Sequence, residues 1–454
     1  MENKKDILSI YEDKTFSFFK KKEDYIKISP TPGSTNNLNV AGGQIVHEVN
    51  STESYILMSE AFGCIKYSIT QRDNTDLNTN ITLEHNWPMR LFSQLIVDIG
   101  GTKKVYNDPG EYDTILKSVM YSKLMNEVGE AYGWIPDTGD AGTVSDIPLA
   151  NNADAEAVRT AAIAMKNRLN KKDSNTGYIR RLENYNNVTN APNRGGTIKL
   201  SLTPLIGFLD WQKISKGIKY KFTWTRKTND AEIFFGAAGT EAKLTINSFE
   251  IWIPAITLSP SAEAAFLKSL NKDITVSFPE RVTVPPQLIQ GSPYTWNIAN
   301  ISNMPLAIFV AFKYDVNNPS YIVNDHKYVS YKTGANAVKI TQLQVRLNQV
   351  MYPNDYVEID PVAQDIHRAY EMYEDICSRF GVTPPFNKQD FLTIYPIFCF
   401  DLTAQDEFLV KSGVNIQLFI KKSTNVELTA FALILEQTKN VIKVTSEYQM
   451  TRVE

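Results

Sequence analysis

The sequence contains the segment Lys219-Tyr220-Lys221-Phe222-Thr223-Trp224-Thr225-Arg226, in which aromatic and polar residues alternate. Because successive side chains of a β-strand point to opposite faces, this pattern places the three aromatic rings on one face and the lysines and threonines on the other. Aromatic stripes stack on sugars or bases in some proteins, but packing in a hydrophobic core is the commoner use. The segment therefore predicts a half-buried strand of a β-sheet.

Segments with the length and the β-branched or aromatic content of strands recur on both sides of this one. They are residues 45–49, 64–69, 91–99 and 244–253, then 274–278, 294–298, 307–312, 338–347, 397–402, 414–420, 428–435 and 441–448. A short Ala-rich helical stretch, Ala262–Leu270, separates the two groups. The pattern predicts an all-β chain of two antiparallel β-sandwiches in tandem, with about eight strands each and a junction near residues 256–272. The halves show no direct sequence repeat.

Two regions depart from the strand pattern. Residues 1–40 are polar and end in a Pro- and Asn-rich stretch, which predicts an N-terminal arm and linker rather than core. Residues 107–195 form a long insertion with helical periodicity at Tyr112–Val128 and Ala155–Leu169, and with polar stretches at Asp137–Gly142 and Asn184–Gly196. We therefore divide the chain into an arm (1–40), a first sandwich carrying the insertion (41–262) and a second sandwich (263–454). A further helix is predicted at 363–379.

Composition, net charge and cysteine spacing indicate a globular chain that is neither strongly basic nor built on disulfides. The 454 residues are 43% hydrophobic, 11% aromatic and 21% charged, which is typical of a globular chain. The net charge of −3 gives no strong field toward a nucleic acid, and Lys20-Lys21-Lys22 is the nearest approach to a basic arm. Cys64, Cys377 and Cys399 are too widely spaced for a disulfide framework or a zinc site, so we predict buried reduced thiols.

A search for catalytic and ligand-binding patterns predicts no enzyme and no cofactor. The four histidines are far apart, and the HExxH, GxSxG and P-loop motifs are absent. Asp137, Asp140 and Asp146 resemble calcium ligands, but their spacing is not that of an EF-hand, and a solvated acidic loop explains them better. The acidic residues of the 363–379 helix, Glu371, Glu374 and Asp375, are explained by a solvated face. We therefore predict no catalytic, cofactor-binding or metal-binding residues.

Several sequence segments, in the same order along the chain, resemble segments of the major capsid proteins of Polinton/Maverick elements, adintoviruses and virophages. The first, His85–Thr102, is similar to a segment in which a strand leads into a tight turn, with Gly100 in place of the usual Asn. The others are Asp108–Tyr121, Gly133-Trp134, Leu202–Asp210, Leu347–Pro353 with Tyr370 and Tyr373, Tyr395–Leu402, and Gly413–Ile416. Together they cover about residues 45–435.

This resemblance implies a double jelly roll, a structural protein of a double-stranded DNA virus and no small-molecule substrate. It implies homotrimers that form pseudo-hexagonal capsomers of an icosahedral shell, with neighbouring capsomers and minor capsid or penton proteins as partners. The chain would be made and assembled inside the host cell, in cytoplasm or nucleus, and reside in the virion capsid. The N-terminal arm would face the interior and meet genome or internal lipid.

Two other interpretations stay open at this point. A single-jelly-roll capsid protein of parvovirus type with very long loops would also be rich in strands, although the second half contains many strand segments. A carbohydrate-active β-sandwich enzyme would need paired carboxylates in a cleft. Within the capsid interpretation, Val158, Met165 and Leu169 lie at helical spacing in the insertion, and we predict that they pack at the trimer interface.

Overall fold

The computed structural model describes residues 20–50, 53–77, 81–138, 175–186, 194–235, 242–269, 273–301, 303–348, 350–404, 413–444 and 450–453. The predicted helix Ala155–Leu169, and with it Val158, Met165 and Leu169, lies outside these residues.

Eleven strands precede residue 260 in the described part of the chain. They are β1 (Lys20–Ile28), β2 (Gln44–Asn50), β3 (Tyr55–Ile56), β4 (Phe62–Gln71), β5 (Thr82–Leu83), β6 (Phe92–Ile99), β7 (Thr102–Asn107), β8 (Gly195–Ser201), β9 (Lys219–Arg226), β10 (Phe234–Phe235) and β11 (Ala242–Leu258). Sheet A has the strand order β1-β11-β4-β8, with β3 also paired to β11, and sheet B has the order β2-β9-β6-β7. The short strands β5 and β10 pair with each other.

The remaining described strands follow residue 273. They are β12 (Ile274–Ile289), β13 (Tyr294–Ile301), β14 (Pro305–Tyr314), β15 (Tyr331–Lys332), β16 (Val338–Leu347), β17 (Val350–Glu358), β18 (Phe398–Asp401), β19 (Val414–Lys422), β20 (Leu428–Val444) and β21 (Met450–Val453). Sheet C has the order β12-β20-β14-β18, with β21 on β20. Sheet D has the order β13-β19-β16, with both β15 and β17 paired to β16.

The two halves repeat one topology. If β3, β5, β10, β15 and β21 are set aside, eight main strands remain in each half. Numbered along the chain within each half, these strands have the order 1-8-3-6 in sheets A and C and the order 2-7-4-5 in sheets B and D. All these pairings are antiparallel, and no pairing between described strands joins the two halves. Two eight-stranded jelly rolls in tandem confirm the predicted fold class and rule out the single-jelly-roll alternative.

Alternation in the sequence explains the inner faces of the sandwiches. In β9 the residues Tyr220, Phe222 and Trp224 are buried, and the lysines at positions 219 and 221 are exposed. The ring of Trp224 meets Phe249 of the facing sheet, with centroids 5.5 Å apart. The aromatic stripe is therefore core, as predicted. The hairpin at Gly100-Gly101 joins β6 to β7, and both glycines have positive φ, which a side chain would strain.

Seven α-helices lie in the described ranges: α1 (Trp87–Arg90), α2 (Pro109–Val119), α3 (Ser122–Val128), α4 (Thr176–Tyr185), α5 (Pro260–Ser269), α6 (His367–Arg379) and α7 (Lys388–Thr393). α5 lies between the two groups of sheets, at the predicted junction. α2 and α6 occupy equivalent places, because each follows the fifth main strand of its jelly roll. None of the helices described is long and apolar enough to cross a membrane.

The structure differs from the sequence-based predictions at two strands. Residues 20–28, predicted to be part of the arm, form β1, which pairs along its length with β11 and so is an integral strand of sheet A. The predicted strands 428–435 and 441–448 are joined, because β20 runs without a break from Leu428 to Val444. The other boundaries of the predicted arm and domains remain our proposal.

Candidate functional site

The most elaborate site in the described residues is the interface between the two jelly rolls. Helix α2, part of the insertion in the first jelly roll, is buried at every residue. The Tyr112 hydroxyl donates a hydrogen bond to the carbonyl oxygen of Val284 in β12, and its ring meets Phe431 of β20 at 6.4 Å between centroids. This first helix of the insertion therefore packs on sheet C of the same chain.

One carboxylate of α2 forms the centre of a buried ion cluster. Glu111 accepts hydrogen bonds from Arg90 of α1 at 2.6 Å and from Lys313 of β14 at 2.5 Å. The Tyr328 hydroxyl lies 3.4 Å from the same carboxylate, and His326 Nδ1 is 3.6 Å away. Since Lys313 and His326 belong to the second jelly roll, this cluster joins the halves electrostatically.

The pKa values in this cluster reflect the balance between burial and charge. Burial alone would raise the pKa of Glu111, but the adjacent Arg90 and Lys313 hold it well below its usual range. Burial, together with those two cations, lowers the pKa of His326 to about 3. The cluster therefore contains one carboxylate, two cations and a neutral imidazole at neutral pH. A pocket of about 280 Å³ lies beside it.

A second buried cluster surrounds Arg181 of α4. Its guanidinium contacts Asp137 at 2.7 Å and Glu84 at 3.5 Å. The Asn175 side chain donates to Asp137 at 2.8 Å, and the Asp137 backbone N–H donates to the Tyr395 hydroxyl of the second jelly roll at 2.9 Å. The prediction of a solvated acidic loop is thus wrong at Asp137, whose burial is possible because Arg181 neutralises it. Asp140 and Asp146 lie outside the described residues.

One guanidinium cannot fully compensate two carboxylates. Burial raises the pKa of Glu84 to about 7, and Asp137 adds to that rise while Arg181 opposes it. Burial also acts to raise the pKa of Asp137, but Arg181 and Asn175 hold it below its usual value. The two carboxylates therefore differ: the pKa of Glu84 is raised, and Asp137 is the ionised partner of Arg181.

A third set of contacts between the two jelly rolls surrounds Arg281. Arg281 of β12 contacts Asp210 at 2.6 Å and donates to the carbonyl oxygen of Pro204 at 3.1 Å. The Tyr121 hydroxyl donates to Asp210 at 2.7 Å. A Cβ added at Gly207 would lie 2.6 Å from the carbonyl oxygen of Pro279, so the backbones of the two halves meet there without room for a side chain.

The charged groups of these three sites bind one another. No set of three or more His, Cys, Asp or Glu residues among the described ones could hold a metal ion. The three cysteines are buried as free thiols, as predicted. Glu374 and Asp375 lie on the exposed face of α6, also as predicted. The sequence reasoning missed Arg90, Glu111 and Arg181, although charged residues inside apolar stretches, as in Trp87–Phe92, were a signal.

Comparisons with known proteins agree with this fold. A family model described as a double jelly roll-like domain matches residues 155–440, more than half of the chain. A chain in the structure of the Sputnik virophage superposes with a TM-score of 0.56 at 12% identity, covering 96% of this chain and 88% of that one. The Faustovirus major capsid protein gives a TM-score of 0.53 at 9% identity, covering 96% and 92%. No curated protein matches. The chain thus belongs to the family of double jelly roll-like domain proteins.

Proposed function

We propose that this chain is the major capsid protein of a double-stranded DNA virus. The observation that carries the proposal is the repeated topology, in which two eight-stranded jelly rolls of the same strand order follow each other in one chain. Three such chains supply six similar sandwiches, which is enough for a near-hexagonal capsomer that can tile a surface. The Faustovirus major capsid protein shares the fold, which supports a structural rather than an enzymatic role.

The contacts between the jelly rolls support this function. A shell subunit must keep its two sandwiches at a constant angle, because small errors would accumulate over many copies. The buried ion cluster around Glu111 suits that task, because its partners Arg90 and Lys313 come from different jelly rolls and charges buried without partners would be strongly unfavourable in any other arrangement. The chain would act through surface complementarity and without a small-molecule substrate.

The finer features of this proposal concern assembly. We infer homotrimers that form pseudo-hexagonal capsomers, which contact neighbouring capsomers and minor capsid or penton proteins in an icosahedral virion shell. Trimer contacts at Val158, Met165 and Leu169 remain a prediction. So does contact of the arm with genome or internal lipid, which now concerns residues 1–19, because residues 20–28 belong to sheet A. Assembly would take place inside the host cell.

Light scattering and electron microscopy of the purified chain test the proposal. We expect a particle of about three times 51.3 kDa and hexagonal outlines, with sheets or closed shells at high concentration. A chain that stays monomeric at every concentration would contradict the proposal. Hydrolysis of polysaccharides by the monomer would favour the carbohydrate-active alternative instead.

A further inference from the structure

The outer face of sheet A carries an aromatic and basic surface. The strand register places Lys27, Trp252 and Phe62 side by side across β1, β11 and β4. Tyr25, two residues from Lys27, is 46% exposed, and its ring lies 6.0 Å from Phe62 and 6.1 Å from Trp252. The Lys27 ammonium lies 4.4 Å above the Trp252 ring. Large rings in such a position are typical of an interface.

The next rows of the same face add charge. Glu250 and Lys199 flank Cys64 across β11, β4 and β8, and Lys66 follows on β4. Lys66 is exposed, and the Lys199 ammonium lies 4.6 Å above the Phe62 ring. With Lys27, these rows carry three lysines and one glutamate among the side chains that the structure describes, a net charge of +2. We call the surface formed by Tyr25, Lys27, Phe62, Lys66, Lys199, Glu250 and Trp252 the sheet A face.

The equivalent face of the second jelly roll is covered within the chain. In sheet C every residue from Ala430 to Glu436 of β20 and from Ala307 to Tyr314 of β14 is buried, on both faces of the sheet. In sheet A the corresponding strands β11 and β4 alternate between buried and accessible residues. α2 of the first jelly roll contributes to this difference, because Tyr112 contacts both β12 and β20 of sheet C.

The two equivalent helices show the opposite difference. α2 is buried throughout, whereas α6 buries only Ala369, Tyr373, Ile376 and Cys377. The accessible side of α6 carries Glu371, Glu374 and Asp375 at spacings of three and four residues, which places them together. In the first jelly roll, therefore, α2 is covered within the chain and the sheet A face is accessible. In the second jelly roll, sheet C is covered and α6 is accessible.

We propose that α6 of one copy docks on the sheet A face of a second copy, in the way that α2 docks on sheet C within the chain. The proposal rests on the capsid function proposed above and names the surfaces that would join its subunits. A contact between two different surfaces is heterologous, and repeated by rotation it closes into a ring. In a trimer every such surface would be occupied once.

The charges have the signs that this contact requires. Within the chain, a carboxylate of α2, Glu111, pairs with a lysine of the third main strand, Lys313. On the uncovered elements, carboxylates again lie on the helix, and Lys66 lies on the third main strand. The two arginines of α6 already pair with Glu371 and Asp401, so Glu374 and Asp375 leave a charge of −2 to meet the +2 of the sheet A face.

Charge reversal with rescue tests this contact on the full chain. The sheet variant is Lys27→Glu with Lys66→Glu, and the helix variant is Glu374→Lys with Asp375→Lys. Each places like charges at the contact and should raise the dissociation constant of the trimer by roughly 100-fold. The combined variant restores opposite signs at all three contacts and should return to within about tenfold of the unsubstituted chain.

The control is Lys219→Glu with Lys221→Glu, which changes the charge equally at two exposed positions on sheet B. Its trimer should be unaffected. Sedimentation over a range of concentrations gives the dissociation constants, and thermal unfolding shows that each variant is folded. A sheet variant that stays trimeric with an unchanged constant overturns the inference, and the same result is expected if residues 1–19 occupy the face.

Failure of the combined variant to recover would also overturn it, because α6 would then not be the partner. Both of these results leave the proposed capsid function intact, since the unsubstituted chain is still a trimer. An unsubstituted chain that is monomeric at all concentrations refutes the function itself and removes the basis of the inference.

Discussion

The interface between the jelly rolls predicts a large effect for Glu111→Ala. The substitution leaves Arg90, 1% exposed, and Lys313, 9% exposed, without a carboxylate. Removal of one partner from a buried ion pair costs about 3–5 kcal/mol, because the remaining charge stays desolvated. Folded domains are stable by only about 5–15 kcal/mol, so this loss is a substantial fraction of the total.

Lys313→Met is the informative comparison. The cluster has two cations for one carboxylate, so removal of Lys313 leaves a balanced pair of Arg90 and Glu111 at 2.6 Å. Burial lowers the pKa of Lys313, and Glu111 opposes that change. The charged form of the Lys313 ammonium is therefore disfavoured by its desolvation. We therefore expect Lys313→Met to destabilise the protein much less than Glu111→Ala.

Urea unfolding measures both variants. Five of the six tryptophans lie before residue 260, so fluorescence reports chiefly on the first jelly roll, while circular dichroism reports on both. Glu48→Ala is the control, because it breaks an exposed pair with Lys221 and should leave the midpoint nearly unchanged. The reasoning is refuted if Glu111→Ala behaves like Glu48→Ala, or if Lys313→Met is as damaging as Glu111→Ala.

Three further outcomes are expected. Burial raises the pKa of Glu84 to about 7, so the folded state retains a proton that the unfolded state loses. The melting temperature should therefore fall as pH rises from about 5 to 7, and Glu84→Gln should remove that dependence. The pKa of His326 is lowered to about 3 by burial, so only the unfolded state gains a proton below about pH 6.5; we expect a loss of about 2 kcal/mol at pH 5, absent from His326→Gln in urea titrations. Gly207→Ala should lower the melting temperature, since its Cβ would meet Pro279, whereas Gly291→Ala, with open space around it, should not.

Strands with a clear alternation were predictable from the sequence. The predicted segments 219–226 and 338–347 coincide with β9 and β16. Such segments have one solvent-exposed and one buried face, and this local property is visible in the order of residues. β14 was also predicted, from its continuous apolar run, but the sequence did not show the reason for that run, which is that both faces of the strand are buried in the tertiary structure.

Elements that depend on distant partners were not predictable. β1 is polar in sequence, and it is a strand because it pairs with the edge of β11, more than two hundred residues later. The predicted helix 112–128 is divided into α2 and α3 near Tyr121, whose hydroxyl bonds to Asp210. Asp137 is buried only because Arg181 reaches it. These partners are far apart in the chain, so no local pattern contains them.

The sequence by itself determined the strand content, the division into two halves and the absence of familiar catalytic motifs, because periodicity and motif spacing are local properties. Only the tertiary structure decided that both halves share one strand order, since that order is a matter of which strands pair and leaves no repeat in the residues. It also decided where the charges of the insertion lie. An ionisable side chain is buried or solvated according to the partners that the fold brings to it, and Glu111 found its partners in both jelly rolls.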